Sequence, residues 1–136
     1  MAQIAIEPII LTNCLLTIGA DNYEKHVSRV QFDPSAATVN WKGLHPDAVF
    51  SKVARATWTC TLEYAQDWET PNSLSQYLHD NEGTEVAATF SPESGGASWA
   101  ATILITPGAI GGTVDTVPTA TVTLGVKGKP ARTPAA

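Results

Sequence analysis

Charged residues are scarce in this 136-residue chain, at 15% of the composition, compared with about 25% in a typical soluble domain. Lysine and arginine are absent between Arg55 and Lys127. The same stretch carries eight acids, Glu63, Asp67, Glu69, Asp80, Glu82, Glu85, Glu93 and Asp115. Tight nucleic-acid binding depends on clustered cations that displace counterions from phosphates. The net charge of −5 and the acidic middle of the chain therefore argue against a nucleic-acid-binding protein.

Cysteine is also rare. Cys14 and Cys60 are too few and too far apart for a disulfide framework or a zinc site, because both need clustered thiols. We interpret the two cysteines as reduced, buried thiols. The sequence predicts neither a metal nor a cofactor.

Long hydrophobic runs are missing as well. The N-terminal segment 1–11 is apolar, but it lacks basic residues and is interrupted by Glu7-Pro8. No run approaches the length of about 18 apolar residues that a membrane span needs. We therefore predict no signal peptide and no membrane association, with synthesis in the cytoplasm.

Alternation of apolar and polar residues is the clearest signal that is present. In segment 57–64, Trp58, Cys60, Leu62 and Tyr64 fall on one face, while threonines and Glu63 fall on the other, as in a half-buried strand. Weaker copies of this pattern, each followed by turn residues, occur at 14–18, 30–32, 39–41, 86–90, 99–105 and 120–126. About seven short strands predict a mainly β fold, a β-sandwich or barrel.

One segment departs from the strand pattern. Thr70 is a suitable cap and Pro71 suits a first helical position, and apolar residues follow at helical spacing as far as Gly83. These features predict one flanking α-helix of about three turns over 71–82.

The length predicts one domain, which we assign to residues 1–128. Within it, residues 1–12 form an N-terminal arm, and 43–56 form a long loop because no clear period is present there. Residues 129–136 contain too few apolar side chains to pack and are expected to form a flexible C-terminal tail.

Catalytic chemistry is not assembled in the sequence. His26, His45 and His79 fall on a predicted strand, a loop and the helix, without a paired nucleophile or orienting carboxylate. The acidic residues lie mostly at turns and helix ends, where solvation and capping explain them. We predict that the protein is not an enzyme.

The four tryptophans divide into two groups. Trp58 and Trp99 match the apolar faces of predicted strands and are expected in the core. Trp41 and Trp68 have no such assignment and could form an aromatic platform for a ligand. The alternative function is therefore a non-catalytic carbohydrate- or protein-binding β-sandwich module.

Five segments follow one another in a recognisable order between residues 57 and 130. They are Thr-Leu-Glu-Tyr-Ala-Gln-Asp-Trp at 61–68, Asn-Ser-Leu-Ser-Gln-Tyr-Leu continuing to Glu-Gly at 72–83, Val-Ala-Ala-Thr-Phe-Ser-Pro at 86–92, Gly-Gly-Thr at 111–113, and Ala-Thr-Val-Thr-Leu at 120–124 before Gly-Lys-Pro at 128–130. In this order they resemble the tail tube (major tail) proteins of long-tailed, non-contractile, siphovirus-type bacteriophages. Gly125 departs from the family, in which the last strand often reaches a Leu-Pro.

The resemblance implies a structural virion protein of the phage tail, assembled in the host bacterial cytoplasm. Its subunits would close into hexameric rings that stack into a tube around a tape-measure protein. Further partners would be the tail terminator and the tail-tip proteins, and DNA would be present only in transit. Tail terminators and type VI secretion tube proteins share the fold class and remain open as alternatives.

The resemblance also places residues 43–53 of the long loop at the position of the family's stacking loop. The candidate contacts between rings are Leu44, His45, Val49 and Phe50. Independently, the strand segments 57–64 and 99–105 carry no lysine, although lysine commonly protects a sheet edge from pairing. Unprotected edges favour pairing between copies of the chain, which can close into a ring.

The acidic stretch has a matching interpretation. Negative charge on the wall of a tube repels DNA phosphates, so that DNA slides without binding. The candidates for this acidic lumen are Glu63, Asp67, Glu85, Glu93 and Asp115.

Overall fold

The computed structural model describes residues 1–134, which form ten strands and one helix. The elements in chain order are β1 Leu15–Ile18, β2 Asp21–Asn22, β3 Val27–Ser35, β4 Thr38–Lys42, β5 Val49–Val53, β6 Thr57–Ala65, α1 Leu74–Asp80, β7 Glu85–Ser91, β8 Ser98–Leu104, β9 Thr119–Val126 and β10 Ala131–Thr133. The predicted mainly β architecture with one flanking helix is confirmed.

Eight of the strands form one antiparallel sheet in the order β2-β1-β7-β8-β9-β6-β3, with β10 added to β8. The sheet turns at the end of β9, where Val126 pairs with Trp58 of β6 and also with Ile103 of β8. One half of the sheet is therefore β3-β6-β9 and the other half is β2-β1-β7-β8-β10. The inner sides of the two halves face a common core.

Burial follows the alternation in the sequence along most of β6 and β9, but Trp58, and Trp99 on β8, are only half-buried and lie outside the core in which they were expected. Cys60, Leu62 and Tyr64 of β6 are buried, as are Val122 and Leu124 of the neighbouring β9. The residues between them point away from the core, so each half of the sheet has an outer face. On β6 and β9 this outer face is rich in threonine, with Thr57, Thr59, Thr61, Thr119, Thr121 and Thr123.

The helix is shorter than the sequence predicted. It begins at Leu74, with Ser73 and not Thr70 as the N-cap, since the Ser73 side chain accepts a hydrogen bond from the backbone N–H of Gln76. Asn72 has a φ of 62°, which keeps Pro71 outside the helix. Helix α1 therefore has about two turns, and Leu74 and Leu78 are fully buried in the core.

Two segments differ from their predicted conformation. Residues 49–53 of the predicted long loop form β5, which pairs with β4 to make a separate hairpin. In the predicted flexible tail, Ala131–Thr133 form β10 on the edge of β8, after a bend at 127–128 and the buried Pro130. The last two residues of that tail, 135 and 136, lie outside the described residues.

Replacement of Gly108 by alanine tests the packing of the core. A methyl group added at Gly108 would overlap the hydroxyl of Tyr64, which is almost fully buried. We expect Gly108→Ala to lower the free energy of unfolding by about 1–3 kcal/mol, as overpacking usually does, measured by urea denaturation. In Gly108→Ala/Tyr64→Phe the overlapping hydroxyl is gone, so the combined loss should be smaller than the sum of the two single losses. An unchanged stability of Gly108→Ala would contradict this account.

Candidate assembly surfaces

The β4–β5 hairpin projects from the sheet. All of its strand residues are exposed, and β4 pairs with β5 alone. Its ladder runs from Thr38 opposite Val53 to Lys42 opposite Val49. An isolated two-stranded hairpin is only marginally stable in water. The exposure of the β4–β5 hairpin therefore makes it a candidate surface for contact with another molecule.

One face of the hairpin is aromatic. Directly opposite residues in an antiparallel pair share a face, so Trp41 and Phe50 lie together, next to Val39 and Lys52. Trp41 is 62% exposed and Phe50 is 52% exposed. The ammonium group of Lys52 lies 5.6 Å from the centre of the Phe50 ring. We name these four residues the aromatic face.

The opposite face of the hairpin is mixed in character. It contains Thr38, Asn40, Lys42, Val49, Ser51 and Val53. Ser51 donates a hydrogen bond of 2.6 Å to the side-chain oxygen of Asn40. This polar pair tightens the hairpin from the side that lacks aromatic rings.

The turn at 43–48 closes the hairpin and forms its tip. The Trp41 ring folds over Gly43 so closely that a Cβ on Gly43 would lie 3.0 Å from it. The backbone N–H of Asp47 donates to Nδ1 of His45, at 3.1 Å. Leu44 is fully exposed at the tip.

The four residues predicted to contact a neighbouring ring do not form one surface. Leu44 and His45 lie in the turn, whereas Val49 and Phe50 lie on opposite faces of β5. All four are exposed, so each is accessible for such a contact. Their role between rings remains a prediction.

The sequence interpretation missed part of this surface. The sequence places Val39 and Trp41 on a strand and leaves Trp41 open as a ligand platform, without indicating a contact surface at either residue. The alternation at 39–41 did indicate a strand, but the pairing that sets Trp41 beside Phe50 is visible only in the structure.

A second exposed apolar segment connects β8 to β9. Ile110, Val114 and Val117 are all exposed in residues 106–118, which we name the apolar loop. A third is the N-terminal arm, residues 1–12, which has no regular secondary structure through residue 11. Its exposed apolar side chains are Met1, Ile4, Ile6, Ile9, Ile10 and Leu11. Exposed apolar side chains grouped in this way are typical of interaction sites.

Gln66 fixes the apolar loop to the end of β6. Its side-chain NH₂ donates to the carbonyl oxygens of Gly111 and Thr119, at 3.0 and 3.1 Å. Its side-chain oxygen accepts from the N–H of Gly111 at 2.9 Å, and its backbone N–H donates to Pro118 at 2.9 Å. Gln66 thus fixes the middle of the loop at Gly111 and its end at Pro118 and Thr119.

The acids predicted to line a lumen are spread over separate surfaces. Glu63 lies on the threonine-rich outer face of β6, next to Arg29 of β3. Glu85 is on β7, where it forms an ion pair with Lys127 at 3.4 Å. Glu93 lies between β7 and β8, and Asp115 lies in the apolar loop. The structure therefore does not bring these acids together.

Asp67 has a local structural role. Its carboxylate accepts the backbone N–H groups of Glu69 and Thr70, both at 3.1 Å, and its carbonyl accepts the hydroxyl of Ser73. These bonds shape the turn that leads into α1. Hydrogen bonds from Thr70, first through its side chain and then its backbone, together with that from Glu69, lower the pKa of Asp67.

Within residues 1–134, no group of three His, Cys, Asp or Glu residues is placed to hold a metal ion. His26 packs on Tyr23 with ring centres 5.6 Å apart. Burial, aided by Asp33, raises the pKa of Cys60 to about 12, so its thiol stays protonated. No helix in this part of the chain is long and apolar enough to cross a membrane.

The two candidate platform tryptophans lie on different elements. Trp41 belongs to the hairpin, whereas Trp68 precedes α1 and packs edge-on against His79, with ring centres 5.9 Å apart. The indole N–H of Trp68 donates to Gln66 at 3.3 Å. Trp68 is thus held in a structural contact and is not set beside Trp41.

Comparison with known proteins gives a relationship at the level of fold. No family model and no curated protein matches the sequence. Among solved structures, the fold is similar to the sheath/tube terminator of an extracellular contractile injection system, PVC, in its extended state, determined by cryo-EM. The TM-score is 0.67 at 12% identity, over 96% of this chain and 99% of that chain. The two chains therefore share a fold along nearly their whole lengths.

Replacement of Gln66 tests the attachment of the apolar loop. In Gln66→Glu the carboxylate would face the carbonyl oxygens of Gly111 and Thr119 without a hydrogen to donate. We expect a loss of about 1–3 kcal/mol in the free energy of unfolding and faster proteolysis within 106–118. Gln76→Glu is a matched control on α1, and its cleavage within 106–118 should remain slow. Equal protease resistance of Gln66→Glu and wild type would contradict the role of Gln66.

The lowered pKa of Asp67 predicts a pH dependence. The ionised carboxylate stabilises the fold above its unfolded pKa, near 3.8, and this contribution is lost as the pH falls through the lower folded pKa. In Asp67→Asn the amide oxygen can still accept both N–H groups but does not titrate. We expect the thermal midpoint of wild type to fall more steeply than that of Asp67→Asn below about pH 4. Parallel curves would show that Asp67 does not contribute.

Proposed function

We propose that this chain is a non-enzymatic structural subunit of a phage tail or a related injection device. In this role it assembles into hexameric rings that stack into the tail tube of the virion. The observation that carries the proposal is the presence of three exposed apolar segments, the arm, the hairpin and the apolar loop, on one folded chain. An isolated monomer would leave all three in water, whereas a subunit in an assembly buries them.

The positions of two of these segments fit head-to-tail stacking. The hairpin joins the first residue of β6, and Gln66 holds the apolar loop just beyond its last residue. The length of β6, Thr57–Ala65, separates the two by about 26 Å at about 3.3 Å per residue. Apolar surfaces at opposite ends suit repeated contacts between unlike surfaces. We assign Leu44, His45, Val49 and Phe50, together with Trp41, to the contact between rings.

A lumen wall is proposed on the threonine-rich outer face of β6 and β9. Hydroxyl groups there are neutral, and Glu63 adds negative charge. Such a surface offers DNA phosphates no cluster of cations to bind. Of the five acidic candidates, Glu63 is the one on this face, and the others would face elsewhere in the assembly. A tape-measure protein and DNA in transit are the proposed contents of the lumen, and terminator and tail-tip proteins its end partners.

A second candidate is a terminator that caps a tube with a single ring. It is supported by the full-length similarity to the sheath/tube terminator. The two candidates differ in what the purified protein should do alone. A tube subunit should elongate with concentration, whereas a terminator should stop at one ring.

The hairpin provides the direct test of stacking. Phe50→Asp places a charge in the centre of the aromatic face, and we expect it to abolish tubes while the thermal midpoint stays within a few degrees of wild type, because Phe50 contributes nothing to the core. Negative-stain electron microscopy and sedimentation velocity measure the assembly. Ser94→Asp, at an exposed position in the turn between β7 and β8 and outside the three apolar segments, is the matched control and should retain tubes.

Three other outcomes are informative. Wild-type tubes with Phe50→Asp tubes of equal length would show that the aromatic face does not stack. Rings without tubes in wild type would favour the terminator. A wild-type protein that stays monomeric at all salt and protein concentrations would contradict both candidates.

A further inference from the structure

An open slit separates the two ends of the curled sheet. The strand order ends at β3, whose second edge has no strand partner among residues 1–134, and β1 has within the same residues only the two-residue β2 beside it on the corresponding side. Between β1 and β3 lies a groove of about 500 Å³. A long unpaired edge beside a groove is the arrangement to which an additional strand can be added.

The slit has an apolar part that is incompletely covered. Leu16, Val27, Val30 and Phe90 form this part, whereas polar side chains within 24–31 and the chain's own residues 11–13 line much of the rest. Leu16 is buried, but the other three pack against the core while remaining partly exposed. Side chains that enter from a further strand would complete the burial of these three.

The N-terminal arm has the sequence of such a strand. Ile4 and Ile6 alternate with Gln3, Ala5 and Glu7 up to Pro8, which is the period of a strand with one buried face. In the single chain Ile4 is 88% exposed and Ile6 is 86% exposed. The arm of each copy therefore carries an unused apolar strand face.

Charge matches between the arm and the slit. Glu7 is the charged side chain of segment 1–11. The slit is lined by Lys25 and Arg29 against Glu24, a net charge of 2 − 1 = +1. Arg29 lies on the outer face of β3, the side on which Glu7 would project if Ile4 and Ile6 pointed inward.

We propose that the slit binds the N-terminal arm of a second copy as an additional antiparallel strand on the free edge of β3. Every pairing in the sheet is antiparallel, and the charge match then sets Glu7 opposite Arg29, Ile6 opposite Val30 and Ala5 opposite Gln31. Pro8 and Pro34, which lack a backbone N–H, bound the new ladder at its two ends. The inference rests on the proposed self-assembly and names one of its contacts.

Disulfide trapping between copies tests the register. One variant carries Ala5→Cys and another carries Gln31→Cys, both with Cys14→Ser to remove the natural thiol that lines the slit. Facing residues of an antiparallel pair are close enough for a disulfide. After mixing and mild oxidation of the full-length proteins, we expect a covalent heterodimer on non-reducing gels, with the 5–31 bond identified by mass spectrometry. Ala5→Cys mixed with Thr123→Cys, an exposed position on β9, is the matched control and should give none.

A second pair of variants tests the strand face of the arm. Added to Ala5→Cys, Ile6→Asp places a charge in the slit and should lower the heterodimer yield by about tenfold or more. Gln3→Lys, which also adds a charge but on an outward side chain that lies opposite Asp33 in this register, should leave the yield within about twofold of the parent. Equal yields for the two variants would overturn the proposed orientation and with it the proposal.

The outcomes separate this inference from the proposed function. Tubes or rings without the 5–31 heterodimer would overturn the arm contact and leave the proposed function intact. The heterodimer without rings would support the arm contact and contradict the proposed function. In an Ala5→Cys/Gln31→Cys chain, a bond formed only within the chain would show that the arm occupies its own slit and would overturn the proposal. Neither heterodimer nor assembly would contradict both.

Discussion

The burial of one face of β6 and β9 against the opposite half of the sheet is the interaction on which the rest of the structure depends. Leu62 and Leu124 are almost completely removed from water, and α1 closes the same core with Leu74 and Leu78. Burial of each such side chain is worth about 1.5–3 kcal/mol. Because the sheet curls at Gly125–Val126, where β9 pairs with both halves, a single sheet encloses this core.

Much of the fold could be predicted because the burial of one strand face appears in the sequence as alternating apolar and polar residues. The alternation of Cys60, Leu62 and Tyr64 is visible because only one face of β6 contacts the core. The hairpin is exposed on both faces, so no selection for alternation acts on β5, and its adjacent Val49 and Phe50 do not reveal a strand. The start of α1 was misplaced for a local reason, since Thr70 and Pro71 have the chemistry of a helix start but Asn72 turns the chain away.

The candidate surfaces were less predictable than the core. Leu44 and Phe50 could be predicted as exposed apolar residues. Their positions, Leu44 at the tip of the hairpin and Phe50 on one face of β5, depend on the register in which β4 and β5 pair. The contacts of the acidic residues were equally unpredictable. Nothing local in the sequence indicates that Glu85 pairs with Lys127, or that the Asp67 carboxylate accepts two backbone N–H groups. In the sequence, Gln66 is only part of a motif. Its structural role depends on contacts with residues 111 and 119, which are far from it in the chain.

The place of the hairpin between β3 and β6 has a mechanical consequence. Force applied to the tip of the hairpin is transmitted to the sheet through Ser35 of β3 and Thr57 of β6, which lie side by side. The force then acts along β6, while its hydrogen bonds to β9 lie across that direction. The hydrogen bonds that residues 58–65 make with β9 are therefore loaded in shear and share the force. Bonds loaded from one end of the strand would instead break one after another. A projection anchored in this way can bear axial tension without unfolding the strands that carry it.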